Sequence, residues 1–213
     1  MKKIVLASAL ALCSLGAFAQ DNYSVYVQGG TEGAGIGLGY IINQSLGVRG
    51  EINGINISHS FTSGANTYNA NASLKSFDAY LDYFPFDNSF RLTTGLVFSD
   101  SNITGNANGS NVTINGTNYT VGAGQSVNAD VKFASVAPYL GIGFGHSPRS
   151  TGLSVFGDIG VFYANPTATL NVSPGLASTV GAANIAAEQS TLQGYANNLR
   201  FYPVAKLGVS YAF

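Results

Sequence analysis

The stretch Ser76-Phe77-Asp78-Ala79-Tyr80-Leu81-Asp82-Tyr83 decides the fold. Phe77 and every second residue after it are free of charge, whereas both aspartates fall in the other register. Successive side chains of a β-strand point to opposite faces of the sheet. The stretch therefore predicts a strand with one uncharged face and one face that carries charge.

The same period of two recurs in eight runs along the chain. They cover about 22–30, 33–42, 46–57, 72–84, 89–99, 131–145, 152–163 and 199–213. From the third run onward, acids and bases away from the strand ends fall in one register, so the opposite face is uncharged over a tall band. A soluble sandwich or lipocalin-like barrel would also alternate, but it would not need such a band. The composition is also unusual for a water-soluble domain, with 9% charged residues and 27 glycines beside 25 Tyr and Phe.

The connections between these runs alternate in length. They are short at 43–45, 85–88 and 146–151 but long at 58–71, 100–130 and 164–198, with 29–33 as a short exception. In membrane barrels the short turns are periplasmic and the long loops extracellular. Since no apolar run of 18 residues follows the N-terminus, spanning helices are not expected. We predict an all-β protein, an eight-stranded antiparallel up-and-down transmembrane β-barrel with long extracellular loops.

The N-terminus has the three regions of a secretory signal. Lys2 and Lys3 precede a short apolar run, and a small-x-small site follows, so we expect cleavage between Ala19 and Gln20. The predicted division is a signal peptide over 1–19 and a barrel over 20–213. Cleavage then removes Cys13, the one cysteine of the sequence, so we expect no disulfide, thiol catalysis or cysteine-bound metal in the mature chain. Seven basic against ten acidic residues remain, so nucleic acid is not an expected partner.

Seven charged residues are predicted to face the lumen, the space inside the barrel. They are Arg49, Glu51, Asp78, Asp82, Arg91, Asp158 and Lys206. Counting outward from the turns opposes Asp82 to Arg91, Gly39 to Arg49 and Gly37 to Glu51. The glycines would leave space for the charged column, and Gly141, Gly143 and Gly145 would do the same for strand seven. Since side chains can fill an eight-stranded barrel, we interpret the set as a paired structural network, with a gated ion path as the alternative.

The last eight residues form the strongest motif. Lys206, Gly208, Tyr211 and Phe213 have the spacing of the C-terminal signal that the barrel-assembly machinery reads in outer-membrane proteins. A generic final strand with an aromatic end residue is the alternative. We therefore expect the assembly machinery and periplasmic chaperones as partners during biogenesis.

Local patterns in the loops predict further structure. Asn115-Gly116 between two polar-apolar segments predicts a hairpin turn, and the Ala-rich residues 182–198 predict a short helix. The one catalytic candidate is Ser58-His59-Ser60, with Glu51 on the same strand. We nevertheless interpret His59 as a solvated loop-edge residue and His146 as a turn residue. No cofactor is expected, and no carboxylate or His cluster has metal-ligand spacing.

Three segments carry a resemblance to a known family. They are Tyr83-Phe84-Pro85-Phe86 with Phe90-Arg91-Leu92, Ala137-Pro138-Tyr139-Leu140-Gly141-Ile142-Gly143, and Tyr202-Pro203-Val204. With the terminal motif, they resemble the small OmpA/OmpX-type outer-membrane β-barrels, and more narrowly a proteobacterial group of such barrels. The resemblance implies an outer-membrane location. The wider group includes adhesins, serum-resistance factors, narrow pores and two types of enzyme, so fold alone does not choose a function.

We expect a non-enzymatic protein whose extracellular loops contact surfaces, ligands or host factors. The alternative is a narrow pore or a transporter of small hydrophobic solutes, which a lumen-side charge ladder or a lateral gap between strands would support. The expected surroundings are outer-membrane lipid, including the lipopolysaccharide leaflet, and the expected oligomeric state is a monomer.

Overall fold

Thirteen strands and two helices make up the structure, which is a computed structural model that describes residues 22–63, 66–86, 88–108, 111–146 and 151–213. The predicted signal peptide lies outside the described residues. Eight strands form the barrel wall: β1 (Tyr23–Gly30), β2 (Gly33–Asn43), β3 (Leu46–Ser63), β4 (Asn66–Tyr83), β5 (Phe90–Ser99), β10 (Val136–Phe144), β11 (Gly152–Tyr163) and β13 (Phe201–Ala212).

The wall is a closed antiparallel barrel. Each of the eight strands pairs with its neighbours in sequence order, and β1 pairs with β13 to close the ring. The predicted eight-stranded up-and-down barrel is confirmed. Its closure leaves no free edge in the wall, which is how a β-structure satisfies its backbone groups in lipid.

The outer surface of the wall is an apolar band. Large side chains stand more than half exposed there, among them Ile36, Leu140, Leu153, Val155 and Leu207. Aromatic pairs flank the band: Phe77–Phe98 and Tyr163–Phe201 on the side of the long loops, and Tyr23–Tyr40 and Phe90–Phe144 on the side of the short turns. Such a band between two aromatic belts is the signature of a wall that faces lipid.

The predicted loop over 58–71 is wrong. β3 and β4 instead continue as one hairpin far beyond the apolar band, in register from Leu46↔Tyr83 to Ser63↔Asn66. The reason is that these segments gain partners above the membrane. β6 (Asn102–Asn108) pairs with β4, β9 (Val127–Lys132) pairs with β6, and β12 (Thr167–Val172) pairs with β9.

The predicted hairpin and helix are both present in this upper region. β7 (Asn111–Ile114) and β8 (Thr117–Thr120) pair around Asn115 and Gly116, which have φ of 48° and 74° as a type I′ turn requires. Two helices follow β12, α1 (Pro174–Val180) and α2 (Ala182–Asn197). Among the described residues, neither helix has the length and apolarity needed to cross a membrane.

These upper elements form a domain with a hydrophobic core of its own. We call it the extracellular domain: the upper β3–β4 hairpin, β6 to β9, β12, α1 and α2. Its core consists of Val112, Ile114, Val127, Leu170, Leu176 and Val180. Hydrogen bonds tie the parts together, since Glu188 of α2 accepts from the Asn115 amide at 2.7 Å and Gln193 accepts from Ala168 of β12 at 2.8 Å.

Candidate functional site

The lumen holds two charged networks, one above the other. The seven residues predicted to face it all do so, with exposed fractions of 6% or less. The network nearer the short turns contains two arginines and two aspartates. Arg49 contacts Asp82 through two nitrogens, at 2.5 and 3.1 Å, and Asp158 at 3.3 Å. Arg91 contacts Asp158 at 2.6 Å and Asp82 at 3.6 Å. Each cation therefore lies between two carboxylates, and the four charges balance.

The predicted register of Asp82 opposite Arg91 is wrong. Asp82 pairs with Thr93, whose hydroxyl donates to the carboxylate at 2.7 Å. The count from the turn fails because the β4–β5 ladder ends at Tyr83↔Leu92, so the connection is longer than the four residues 85–88. Phe84 buries its ring just after this pair, with 1% exposure, and its amide extends the β3–β4 ladder by bonding to Ser45. Asp82 and Arg91 still form an ion pair, at 3.6 Å, between positions that are not directly opposite each other.

The upper network centres on the ammonium group of Lys206. It lies 2.6 Å from Glu32, 2.5 Å from Glu51 and 3.3 Å from Asp78. Asn53 donates to Glu51 at 2.9 Å and to Asp78 at 2.7 Å. Three further side chains join the network through hydrogen bonds, namely Tyr26, Gln28 and Tyr80.

Glu32 was missed from the sequence because it sits in the two-residue turn between β1 and β2. Its position continues the inward register of Ser24, Tyr26 and Gln28, so counting every second residue from Ser24 would have predicted that Glu32 faces the lumen.

With Glu32 included, the described lumen holds five carboxylates against three cations. Oxygen atoms of Glu32, Glu51 and Asp78 lie within 4.8 Å of one another, a grouping that could hold a metal ion. The Lys206 ammonium contacts all three carboxylates and already occupies the position of a cation in this cluster.

The glycine columns make room for rings more than for charges. A side chain at Gly37 would collide with the ring of Tyr26, and one at Gly208 with the ring of Phe156. Arg49 lies at ordinary contact distance from a side chain at Gly39, so the predicted clearance for the β3 charges is wrong in that detail. Gly143 and Gly145 do leave space for Asp158 and Phe156 of β11, while Gly141 adjoins Tyr139 of its own strand. The rings therefore lie flat against the wall.

Aromatic side chains close the lumen at both ends. His146 is a buried member of the lower layer rather than a turn residue, with 7% exposure and its ring 4.1 Å from that of Phe156 and 4.8 Å from that of Tyr26. The cause is a φ of 51° that turns the side chain inward after Gly145. At the upper end Phe162 stacks on Tyr202 at 4.9 Å, and Phe133 packs against Tyr202 instead of facing lipid.

Two hollows of different size adjoin the described barrel wall. One of about 420 Å³ is lined by Ser24, Gly39 and Arg49 of the inner face together with Leu38, Val48 and Phe213. The hollow at the upper end, between Glu32, Ser76, Val97, Phe133 and Tyr202, has a volume of about 20 Å³, which is room for roughly one water molecule. The strand pairings described above also run without a lateral gap through the described wall.

The catalytic candidate does not assemble. Glu51 is buried in the upper network with 1% exposure, whereas His59 lies on the exposed upper part of β3. Eight residues of strand separate them, roughly 26 Å at the usual rise per residue.

The residues of the proposed assembly signal lie on both faces of β13. Lys206 and Gly208 point inward, and Tyr211 points outward with its ring 5.1 Å from that of Phe213. Their role in assembly stays a prediction.

Comparison with solved structures agrees with this architecture. CarO of Acinetobacter baumannii matches over 89% of this chain and 97% of its own, with 22% identity and a TM-score of 0.58. CarO2 of the same organism matches over 90% and 98%, with 22% identity and a TM-score of 0.61. The chain has the fold of a small outer-membrane β-barrel. At the level of fold, this barrel fits the OmpA/OmpX type that the sequence resembles. No protein-family model matches the chain, and no curated protein matches it.

Proposed function

We propose that this outer-membrane barrel is a non-enzymatic surface protein, in which the barrel is an anchor and the extracellular domain makes the contacts. The observation that carries the proposal is the separate hydrophobic core of that domain. Loops that only connect strands do not need a core, and loops that bind are positioned by a rigid scaffold. Here three connections pack together as one rigid body of sheet, hairpin and helices.

The filled lumen supports the same role. Arg49 and Arg91 bridge carboxylates of β4 and β11 across the interior. A narrow pore would need a path through these buried ion pairs and the aromatic layers above and below them. A transporter of small hydrophobic solutes would need an opening in a wall whose strands are paired throughout.

The test is a domain deletion in living cells. Residues 102–132 and 167–197 are each replaced by a short Gly-Ser turn, and the full and shortened chains are expressed in the outer membrane of the same host. Retention of the cells is measured on immobilised mucin, on a mammalian cell monolayer and on a layer of the host cells. We expect the full chain to raise retention on at least one surface and the deletion to return it to background.

A matched control has its replacement at the other end of the barrel, where the periplasmic turn 85–88 becomes a Gly-Ser turn. Both variants must show the heat-dependent gel shift of a folded barrel. Equal retention by the full and shortened chains on all three surfaces would contradict the proposal.

A further inference from the structure

One face of the extracellular sheet consists of polar side chains alone. This polar face, as we name it, comprises three rows that run across β3, β4, β6, β9 and β12 and point outward from the barrel axis. The rows are Ser60–Asn69–Asn106–Asn128–Asn171, Ser58–Asn71–Thr104–Asp130–Thr169 and Asn56–Ser73–Asn102–Lys132–Thr167. At the usual spacings of strands and residues, the face measures roughly 19 by 14 Å.

The opposite face of the same sheet is apolar. Ala168 and Leu170 of β12 and Val127 of β9 are buried there against the helices and the β7–β8 hairpin. The sheet is thus amphipathic, and its polar side is the one left uncovered within the described structure.

The polar face differs from an ordinary solvated surface in its lack of charge. Thirteen of its fifteen positions are Asn, Ser or Thr, and only Asp130 and Lys132 can ionise. Solvated surfaces of soluble domains are typically about a quarter to a third charged. Within the described structure, the side-chain amides of Asn106, Asn128 and Asn171 make no hydrogen bond, so their donors and acceptors are available to a ligand.

The position of the face indicates which ligand it meets. It continues the lipid-facing surface of the wall, because the outward register of β4 runs without a break from Phe77 through Lys75 and Ser73 to Asn69. The third row, which contains Ser73, therefore lies nearest the aromatic pair Phe77–Phe98, and the first row lies farthest from it. At that height an outer-membrane protein is surrounded by the sugars and phosphates of lipopolysaccharide.

We propose that the polar face is a docking surface for the core oligosaccharide of lipopolysaccharide. The rows of amides and hydroxyls bond to sugar hydroxyls, and Lys75 and Lys132 at the lower edge pair with phosphate groups. The Lys132 side chain is 71% exposed, and its ion pair with Asp130 is long at 3.9 Å, so the ammonium group can also reach a phosphate.

A protein partner fits this face less well. The cores of protein interfaces are enriched in aromatic residues and Met, and the three rows contain none. A saccharide instead needs many neutral donors and acceptors at fixed spacing, which a flat sheet of asparagine and threonine provides. The inference does not rest on the proposed function, because it concerns the side of the extracellular domain next to the membrane.

The experiment uses the full folded chain in detergent micelles and calorimetric titration with three probes. These are rough lipopolysaccharide with a complete core, deep-rough lipopolysaccharide with a minimal core, and lipid A. We expect the complete-core form to bind most tightly. Asn128→Ala should weaken that binding about fivefold, and Asn106→Ala/Asn128→Ala should weaken it about 25-fold, as expected for the loss of one and two hydrogen bonds. Lipid A binding should not change.

Asn118→Ala is the matched control, because it removes an exposed amide from β8 of the same domain. Its binding and the melting temperature of all variants should equal those of the parent chain. Either of two results would overturn the proposal: unchanged complete-core binding by the double variant, or equal affinity of the parent chain for lipid A and the complete-core form. Both can occur while cell retention still depends on the extracellular domain, so the two proposals fail separately.

Discussion

At the scale of single residues, Arg91 shows how the buried charges of the lumen depend on one another. It is fully buried, and its guanidinium contacts Asp158, Asp82 and the carbonyl of Gly145. A buried ion pair contributes little net stability, but the removal of one partner leaves the other charge uncompensated. The lumen is therefore more sensitive to single deletions than to the exchange of whole pairs.

Arg91→Ala should lower the stability of the barrel by about 3 kcal/mol or more, because Asp158 and Asp82 each lose a cation. The midpoint temperature of the heat-dependent gel shift measures the change. Lys75→Ala, on the outer face of β4, should stay within roughly 0.5 kcal/mol of the parent chain. An unchanged midpoint for Arg91→Ala would contradict the role of these ion pairs.

The inward register of the charges could be read from the sequence, because parity along a strand needs no knowledge of neighbouring strands. Pairing across a turn could be read about Gln44, where Gly39 opposite Arg49 and Gly37 opposite Glu51 are confirmed. It could not be read about 85–88, because the β4–β5 ladder already ends at Tyr83↔Leu92. The inward turn of His146 through a positive φ was also missed. Neither event leaves a hydrophobic pattern in the sequence.

At the scale of elements, the extracellular domain is the part that sequence patterns described least well. The Asn115-Gly116 turn and the helix over 182–198 were predicted because both have strong local signals. β6, β9 and β12 were not, since their apolar positions are mostly small residues between polar ones, as in 102–107 and 127–132. Asn, Gly and Ala are poor strand formers, and pairing with a preformed β3–β4 hairpin outweighs that preference.

Leu176→Ala should loosen this domain and leave the barrel unchanged. Leu176 is 1% exposed in the core of the domain, and such truncations cost about 2–5 kcal/mol. Trypsin cleavage after Lys132 in intact cells measures the loosening and should accelerate, while the heat-dependent gel shift stays the same. Tyr195→Ala, on the 68% exposed side chain of α2, is the control. Cleavage at the parent rate in both variants would show that the domain does not depend on this core.

At the scale of the whole molecule, the barrel wall and the extracellular domain lie in different surroundings. The wall, with its apolar band and aromatic belts, could be predicted almost completely, because the lipid environment imposes the same pattern on every strand. The extracellular half lies outside that constraint. Its fold depends on contacts between three distant connections, and a single sequence does not reveal which of them meet.

The folded protein should give no steady conductance in planar bilayers. An ion crossing the lumen would have to pass the aromatic layers around Phe156 and Phe162 and the charged networks between them. A trimeric porin inserted under the same conditions serves as the positive control. Reproducible unitary current steps from the purified chain would contradict a filled lumen and would favour the pore alternative.

The position of Lys206 on the last strand has a consequence for the order of folding. The three carboxylates that it contacts come from residues 32–78, so Lys206 follows Asp78 by 128 positions. Until β13 docks between β11 and β1, no ammonium group contacts these three acids. Closing the ring therefore also places a cation among them. A chain that ends before Lys206 has an open ring and three neighbouring carboxylates that lack this contact.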